Sequence, residues 1–174
     1  MNLNLPNKLS LLRIALVPIF MVFLLVESLG DIGRYLALGF FILAAITDAL
    51  DGYIARRDGL VTNLGKFIDP LADKLLVSAA FISLVDMQAI SAWPAVIIIS
   101  REFAVTGLRI LAAAEGVVIA ASNLGKYKTN AQIFSIIFLI LGLPFANILL
   151  WAAVILTLIS GLDYLLKSKE LISE

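Results

Sequence analysis

Cysteine and histidine are both missing from this chain of 174 residues. Without cysteine there is no disulfide, no thiolate nucleophile and no thiolate metal ligand. Without histidine there is no His-based triad or phosphohistidine intermediate, and the nitrogen and sulfur donors that zinc prefers are absent. Charge is scarce as well: charged residues make up 15% and hydrophobic residues 61% of the chain, whereas soluble domains carry about a quarter charged residues. The formal net charge is zero, so there is no electrostatic case for a nucleic-acid partner. No repeat, low-complexity tract or linker interrupts the sequence. The composition is that of an integral membrane protein, read as a single domain over residues 1–174.

A helix needs about 20 apolar residues to cross a bilayer. Six stretches approach that length, near residues 9–28, 35–56, 69–88, 93–113, 130–145 and 147–167. The expected fold is therefore all-α and polytopic, with about six transmembrane helices and no loop long enough to fold alone. Gly142 and Pro144 close the fifth stretch. Lys8 precedes the first as it would in a signal peptide, but the length of the run and the lack of a small-residue cleavage pattern before Gly30 point to a retained span. With the N-terminus placed in the cytoplasm, Lys8, Arg13, Arg56, Arg57, Lys66, Lys126, Lys128, Lys167 and Lys169 fall inside and only Arg34 outside. That bias sets both termini in the cytoplasm.

Against this apolar background the chain reads Asp48-x-x-Asp51-Gly52-x-x-Ala55-Arg56, eight residues, then Gly65-x-x-x-Asp69-x-x-x-Asp73. Acidic residues in membrane sequence are costly and are kept where they pair, bind cations or line a polar cavity. On helices, Asp48 and Asp51 lie about 60° apart and Asp69 and Asp73 about 40° apart, so each pair forms one acidic stripe. Capping and loop salt bridges with Arg56, Arg57, Lys66 or Lys74 do not explain why all four fall on such stripes. Four carboxylates brought together require protons or cations, and two divalent ions would balance them. An all-oxygen donor set suits Mg or Mn. Gly52 opens the backbone to a ligand, and Arg56 offers a planar cation for phosphate oxygens.

These eight fixed positions, Asp48, Asp51, Gly52, Ala55, Arg56, Gly65, Asp69 and Asp73, resemble the signature of the CDP-alcohol phosphotransferases. That family displaces CMP from a CDP-linked lipid or alcohol with a hydroxyl acceptor. Softer matches, at Asp69-Pro70-Leu71-Ala72-Asp73-Lys74, Arg101-Glu102 with Arg109, Gly125-Lys126-Tyr127-Lys128-Thr129 and Asn7-x-x-Ser10-x-x-Arg13, are similar to the bacterial phosphatidylglycerophosphate synthases of that family. Ser10 stands there in place of Thr and keeps the hydroxyl. The resemblance implies transfer of a phosphatidyl group from CDP-diacylglycerol to sn-glycerol 3-phosphate, a step toward phosphatidylglycerol and cardiolipin. It implies that Asp48, Asp51, Asp69 and Asp73 hold the two metal ions and that Asp73 is the base for the acceptor hydroxyl. It further implies that Gly52, Ala55 and Gly65 leave room for the nucleotide, that Arg56 contacts its phosphates, and that the protein is a homodimer in the bacterial cytoplasmic membrane. A carboxylate shared between cations is a weak base, so metal polarisation and proximity are expected to carry part of the activation.

Other polar residues have plainer readings beside the functional one. Glu102, Thr106 and Arg109 share a helical stripe with Arg101 next to it, which fits an ion pair of Glu102 with Arg101 or Arg109 as well as a substrate contact. Lys126 and Lys128 precede the fifth span and can attract anionic lipid. Arg109, Lys126 and Lys128, with Arg101 about two turns deeper, are the expected cations for the acceptor phosphate. Trp93, Trp151, Tyr127 and Tyr164 are read as aromatic-belt residues and Gly107 and Gly161 as helix-packing positions. Two alternatives stand. One is another acceptor in the same family, inositol phosphate or phosphatidylglycerol; the other is a cation transporter, whose membrane carboxylates would bind the transported ion. A prenyltransferase fits less well, since the chain is short and lacks that motif arrangement.

Overall fold

A computed structural model describes the backbone of residues 5–58, 63–114 and 123–167; among these, the side chains of residues 5, 6, 48–58, 63–67, 69, 70, 113, 114, 123 and 167 lie outside the description. The described residues form six α-helices and no strand: α1 (Leu5–Leu25), α2 (Gly30–Asp58), α3 (Asn63–Asp86), α4 (Ala92–Ala114), α5 (Asn123–Ile140) and α6 (Ala146–Lys167), with a short 3-10 turn at Glu27–Leu29. The all-helical class expected from sequence is therefore the class observed.

Among the described residues, three segments, Asn7–Leu25, Glu27–Thr47 and Ala146–Leu166, are long and apolar enough to cross a membrane. Large apolar side chains stand exposed along them, among them Val22, Ile46, Ile148, Ile155 and Leu162. In water such surfaces would drive association; in a bilayer they face acyl chains. The chain is a membrane protein.

Helices α1–α3 make one compact unit, Met1–Met87, and α4–α6 another, Gln88–Glu174. In the first, α1 packs against both α2 and α3. Leu16, Phe20 and Leu24 repeat every fourth residue on α1, as Ala72, Leu76, Ala80 and Leu84 do on α3, and all are buried. That spacing keeps each set on one helix face. Ala37 and Ala44 on α2 are also buried and let backbones approach closely. Phe20 meets Phe41 at 5.8 Å between ring centroids, and Phe23 stacks on Phe40 at 5.3 Å.

The turn from α1 into α2 depends on Gly33. A Cβ at that position would lie 2.5 Å from the carbonyl oxygen of Phe23 and 2.8 Å from Cβ of Leu29. Backbone cannot yield that distance without moving a helix. Gly33→Ala is therefore expected to destabilise the protein by about 1–3 kcal/mol, the cost of overpacking. Gly39→Ala, with nothing within 4 Å of the added methyl, should be neutral or slightly stabilising. Thermal unfolding of the two variants in detergent checks the pair; equal melting temperatures would contradict the close approach at Gly33.

In the second unit, Ile98 and Val105 of α4, Ile136 and Ile140 of α5, and Leu150, Ala153 and Val154 of α6 form the apolar core. Here the fifth helix departs from the sequence expectation of residues 130–145. It starts at Asn123 and ends at Ile140, so Lys126 and Lys128 lie on the helix and do not precede it. The early stop has a local cause. Gly142 adopts φ +62°, its N–H donates to Leu139 O at 3.2 Å, and Leu143 N–H donates to Phe138 O at 2.9 Å. A left-handed residue with these two bonds is the Schellman termination that glycine favours.

Candidate active site

The signature aspartates fall on two helices of one unit: Asp48 and Asp51 on α2, Asp69 and Asp73 on α3. Both segments are helical through these positions, so the stripe geometry expected from spacing holds for the backbone. Helix α1 supports them from one side. Phe20 meets Phe41, and α1 and α2 run in opposite directions there, so seven residues back along α1 and seven forward along α2, about 10.5 Å of rise on each, bring Arg13 level with Asp48. Asn7, Ser10 and Arg13 are all buried, and their spacing puts them on one face of α1. The sequence motif Asn7-x-x-Ser10-x-x-Arg13 is thus an inward polar stripe at the height of the aspartates. Arg13, counted above among the basic residues on the inner side, is fully buried.

The side chains of Asp48, Asp51, Gly52, Ala55, Arg56, Gly65 and Asp69 lie outside the described residues. Asp73 is described. It is half-buried next to the fully buried Ala72, and its Oδ2 accepts from the ammonium of Lys74. Of the four signature carboxylates only that of Asp73 is described, and it already takes a cation; the residue types of the four are all oxygen donors. Such a set fits a hard divalent ion, which would displace the lysine from Asp73.

A second polar cluster lies in the core of α4–α6. Glu102 of α4, only 3% exposed, accepts from Lys128 Nζ of α5, from Gln132 Nε2 at 3.3 Å and, more weakly, from Arg101 Nη1 at 3.4 Å. Gln132 Nε2 also donates to Thr157 Oγ1 of α6 at 3.0 Å. Arg101 Nη2 donates to Ser160 Oγ at 2.9 Å, and its guanidinium lies 6.0 Å from the Tyr164 ring centroid. Gly161 makes room for the arginine, since a Cβ there would come 3.1 Å from Arg101 Cγ.

Several expectations change in this light. Glu102 pairs with Lys128 and Arg101, while Arg109 stands exposed on α4. Lys128 is buried and Lys126 exposed, because they are two residues apart on a helix and face different ways. Tyr164 is buried beneath Arg101 and is not a belt residue, whereas Trp93, Trp151 and Tyr127 are exposed. Of the two glycines expected at helix-packing positions, Gly161 faces the Arg101 side chain of α4, whereas nothing lies within 4 Å of a Cβ at Gly107. Gln132, Thr157 and Ser160 escaped the sequence reading. Their signal was present: Lys128, Gln132 and Ser135, like Thr157, Ser160 and Tyr164, recur on single faces of otherwise apolar helices.

Comparison with known proteins addresses the chain as a whole. A family model described as CDP-alcohol phosphatidyltransferase matches residues 3–159. The chain belongs to the CDP-alcohol phosphatidyltransferase family. The match takes in the aspartate helices and most of the polar cluster around Glu102. Among similar curated proteins, the CDP-diacylglycerol–glycerol-3-phosphate 3-phosphatidyltransferase of Bacillus subtilis (strain 168) is 49% identical over 96% of each chain. Proteins of the same name from Rickettsia bellii (strain RML369-C), 40% identical over 96% of each chain, and from Haemophilus influenzae (strain ATCC 51907 / DSM 11121 / KW20 / Rd), 38% identical over 97% of this chain and 95% of the relative, are similar along their whole length.

Proposed function

We propose that the protein transfers the phosphatidyl group of CDP-diacylglycerol to the primary hydroxyl of sn-glycerol 3-phosphate, releasing CMP and forming phosphatidylglycerophosphate. This is the reaction named for its relatives. The observation that carries it is the full eight-position signature, set on adjoining helices α2 and α3 of a chain 49% identical to an enzyme of that name. The shared name of the relatives favours glycerol 3-phosphate over inositol phosphate or phosphatidylglycerol as acceptor. A cation transporter gives no reason for the signature's glycines and Arg56.

Asp48, Asp51, Asp69 and Asp73 hold two divalent ions, Mg or Mn, in this reading. When bound, such ions neutralise the pyrophosphate, polarise the acceptor hydroxyl and offset charge on departing CMP. Gly52, Ala55 and Gly65 keep the space beside the aspartates open for the nucleotide, and Arg56 binds its phosphates. The hydroxyl oxygen of the acceptor forms a bond to the phosphatidyl phosphorus as the bond from that phosphorus to the CMP oxygen breaks. Its proton passes to the carboxylate of Asp73, and CMP leaves with the electron pair. The acceptor's own phosphate falls to cations of α4 and α5, drawn from buried Lys128 and largely buried Arg101 and from the exposed pair Arg109 and Lys126, whose charges suit a dianion. The six helices all cross the bilayer, both termini and the aspartates face the cytoplasm, and the chain works as a single catalytic domain in a homodimer.

Two experiments check this reading. Purified protein supplied with CDP-diacylglycerol and a panel of acceptors should release CMP with glycerol 3-phosphate and much more slowly with inositol phosphate or phosphatidylglycerol. Fastest release with another acceptor would reassign the substrate. For orientation, Gly59→Cys and Gly30→Cys in this cysteine-free chain can be labelled in intact cells with an impermeant maleimide. Reaction at position 30 alone is expected from the basic bias; reaction at 59 alone would reverse the topology.

A further inference from the structure

The cluster around Glu102 presents a question of cost. A buried ion pair is seldom more stable than neutral groups of the same shape, because both charges lose their water. Three helices could be tied by amides and hydroxyls alone, as Gln132 and Thr157 already tie α5 to α6. Instead α4 and α5 meet through a carboxylate and an ammonium with 4% and 5% of their side chains exposed. A second cation, Arg101, lies on the same carboxylate oxygen with 11% exposed.

Resting on the reading that Lys128 and Arg101 receive the acceptor phosphate, we infer that Glu102 is their place-holder: an internal counter-ion that occupies the cations when glycerol 3-phosphate is absent and competes with its phosphate when it arrives. The geometry supplies what this role needs. Lys128 has three N–H donors on a flexible stem, so its ammonium can turn from a carboxylate to a phosphate without moving helix α5. Arg101 is fixed from the other side by Ser160 and by the groove at Gly161. Its Nε is buried and without a hydrogen-bond partner, so a donor remains for an arriving anion. Gln132, which donates to both Glu102 and Thr157, holds the carboxylate in place as the lysine changes partner.

The energetic sense follows from linkage. Glu102 stabilises the empty state by pairing the cations and destabilises the loaded state by repelling a dianion. Both effects weaken phosphate binding. The lipid product carries the same phosphate, so the competition also speeds its release.

The test is a double-mutant cycle on the acceptor KM, with the KM for CDP-diacylglycerol as control. Glu102→Gln should lower the KM for glycerol 3-phosphate by about tenfold, of the order expected for one charge-assisted contact, and leave the lipid KM within about twofold. Lys128→Gln should raise the acceptor KM, because it removes a cation and leaves the carboxylate facing the phosphate. The double variant Glu102→Gln/Lys128→Gln replaces the pair by two amides that can hydrogen-bond, so it folds even where a single change does not. Its acceptor KM should lie below that of Lys128→Gln alone. If Glu102 only orients Lys128, Glu102→Gln raises the acceptor KM and the double variant is no better than Lys128→Gln; either result overturns the inference. An unchanged KM in Lys128→Gln removes the acceptor assignment of Lys128 and the inference with it. Loss of all glycerol 3-phosphate-dependent turnover in the unaltered protein would instead overturn the proposed function.

Discussion

Asp69→Asn is expected to cut CMP release by about a thousandfold, a loss of about 4 kcal/mol in transition-state stabilisation at 1.36 kcal/mol per decade. The exchange keeps shape and removes charge. A neutral amide is a poor ligand for a hard divalent ion, and it also leaves the remaining carboxylates with one fewer member to share two cations. EDTA should silence the unaltered protein to a similar degree, with Mg or Mn restoring it and Zn doing so poorly, since this chain has no cysteine or histidine to offer. Melting temperature in detergent separates loss of chemistry from loss of fold. Near-normal turnover by a folded Asp69→Asn variant would remove the aspartates from the proposed chemistry.

Arg109→Gln and Lys126→Gln form the second large effect. Both side chains are exposed, so replacing them leaves no buried charge unpaired and should not unfold the protein. If each makes a charge-assisted contact with the acceptor phosphate, the KM for glycerol 3-phosphate should rise by about 10- to 150-fold with the KM for CDP-diacylglycerol little changed. A loss confined to the lipid substrate would mark them as headgroup anchors at the membrane surface. No change in either constant would return the acceptor phosphate to buried Arg101 and Lys128 alone.

The proposed aspartate site is read from sequence because its information is local. Spacing of three and four residues fixes a stripe wherever the backbone is helical, and α2 and α3 are helical through these positions. The helices themselves were legible from apolar runs, apart from α5. There, Lys126, Lys128 and Gln132 lower the hydropathy of a segment that is helical throughout. A window average cannot tell a polar residue that faces a partner inside the protein from one that faces water. The same limit hid the cluster around Glu102: its partners come from α4, α5 and α6, and the pairing of Glu102 with Lys128 spans residues far apart in sequence. The spacing on α4 allowed Arg101 or Arg109 as partner, and only the helix packing decides between them. Tyr164 was misread for a related reason, since an aromatic near a helix end looks the same whether it meets lipid headgroups or an arginine.

In the proposed reaction this chain itself joins glycerol 3-phosphate to a phosphatidyl group. Purified protein in micelles of CDP-diacylglycerol, given radiolabelled glycerol 3-phosphate with Mg or Mn, should move label into the organic phase in step with CMP release, one for one, and EDTA should stop both. CMP release without label in lipid would mean hydrolysis or another acceptor, and label transfer that persists undiminished in EDTA would contradict the metal-dependent account.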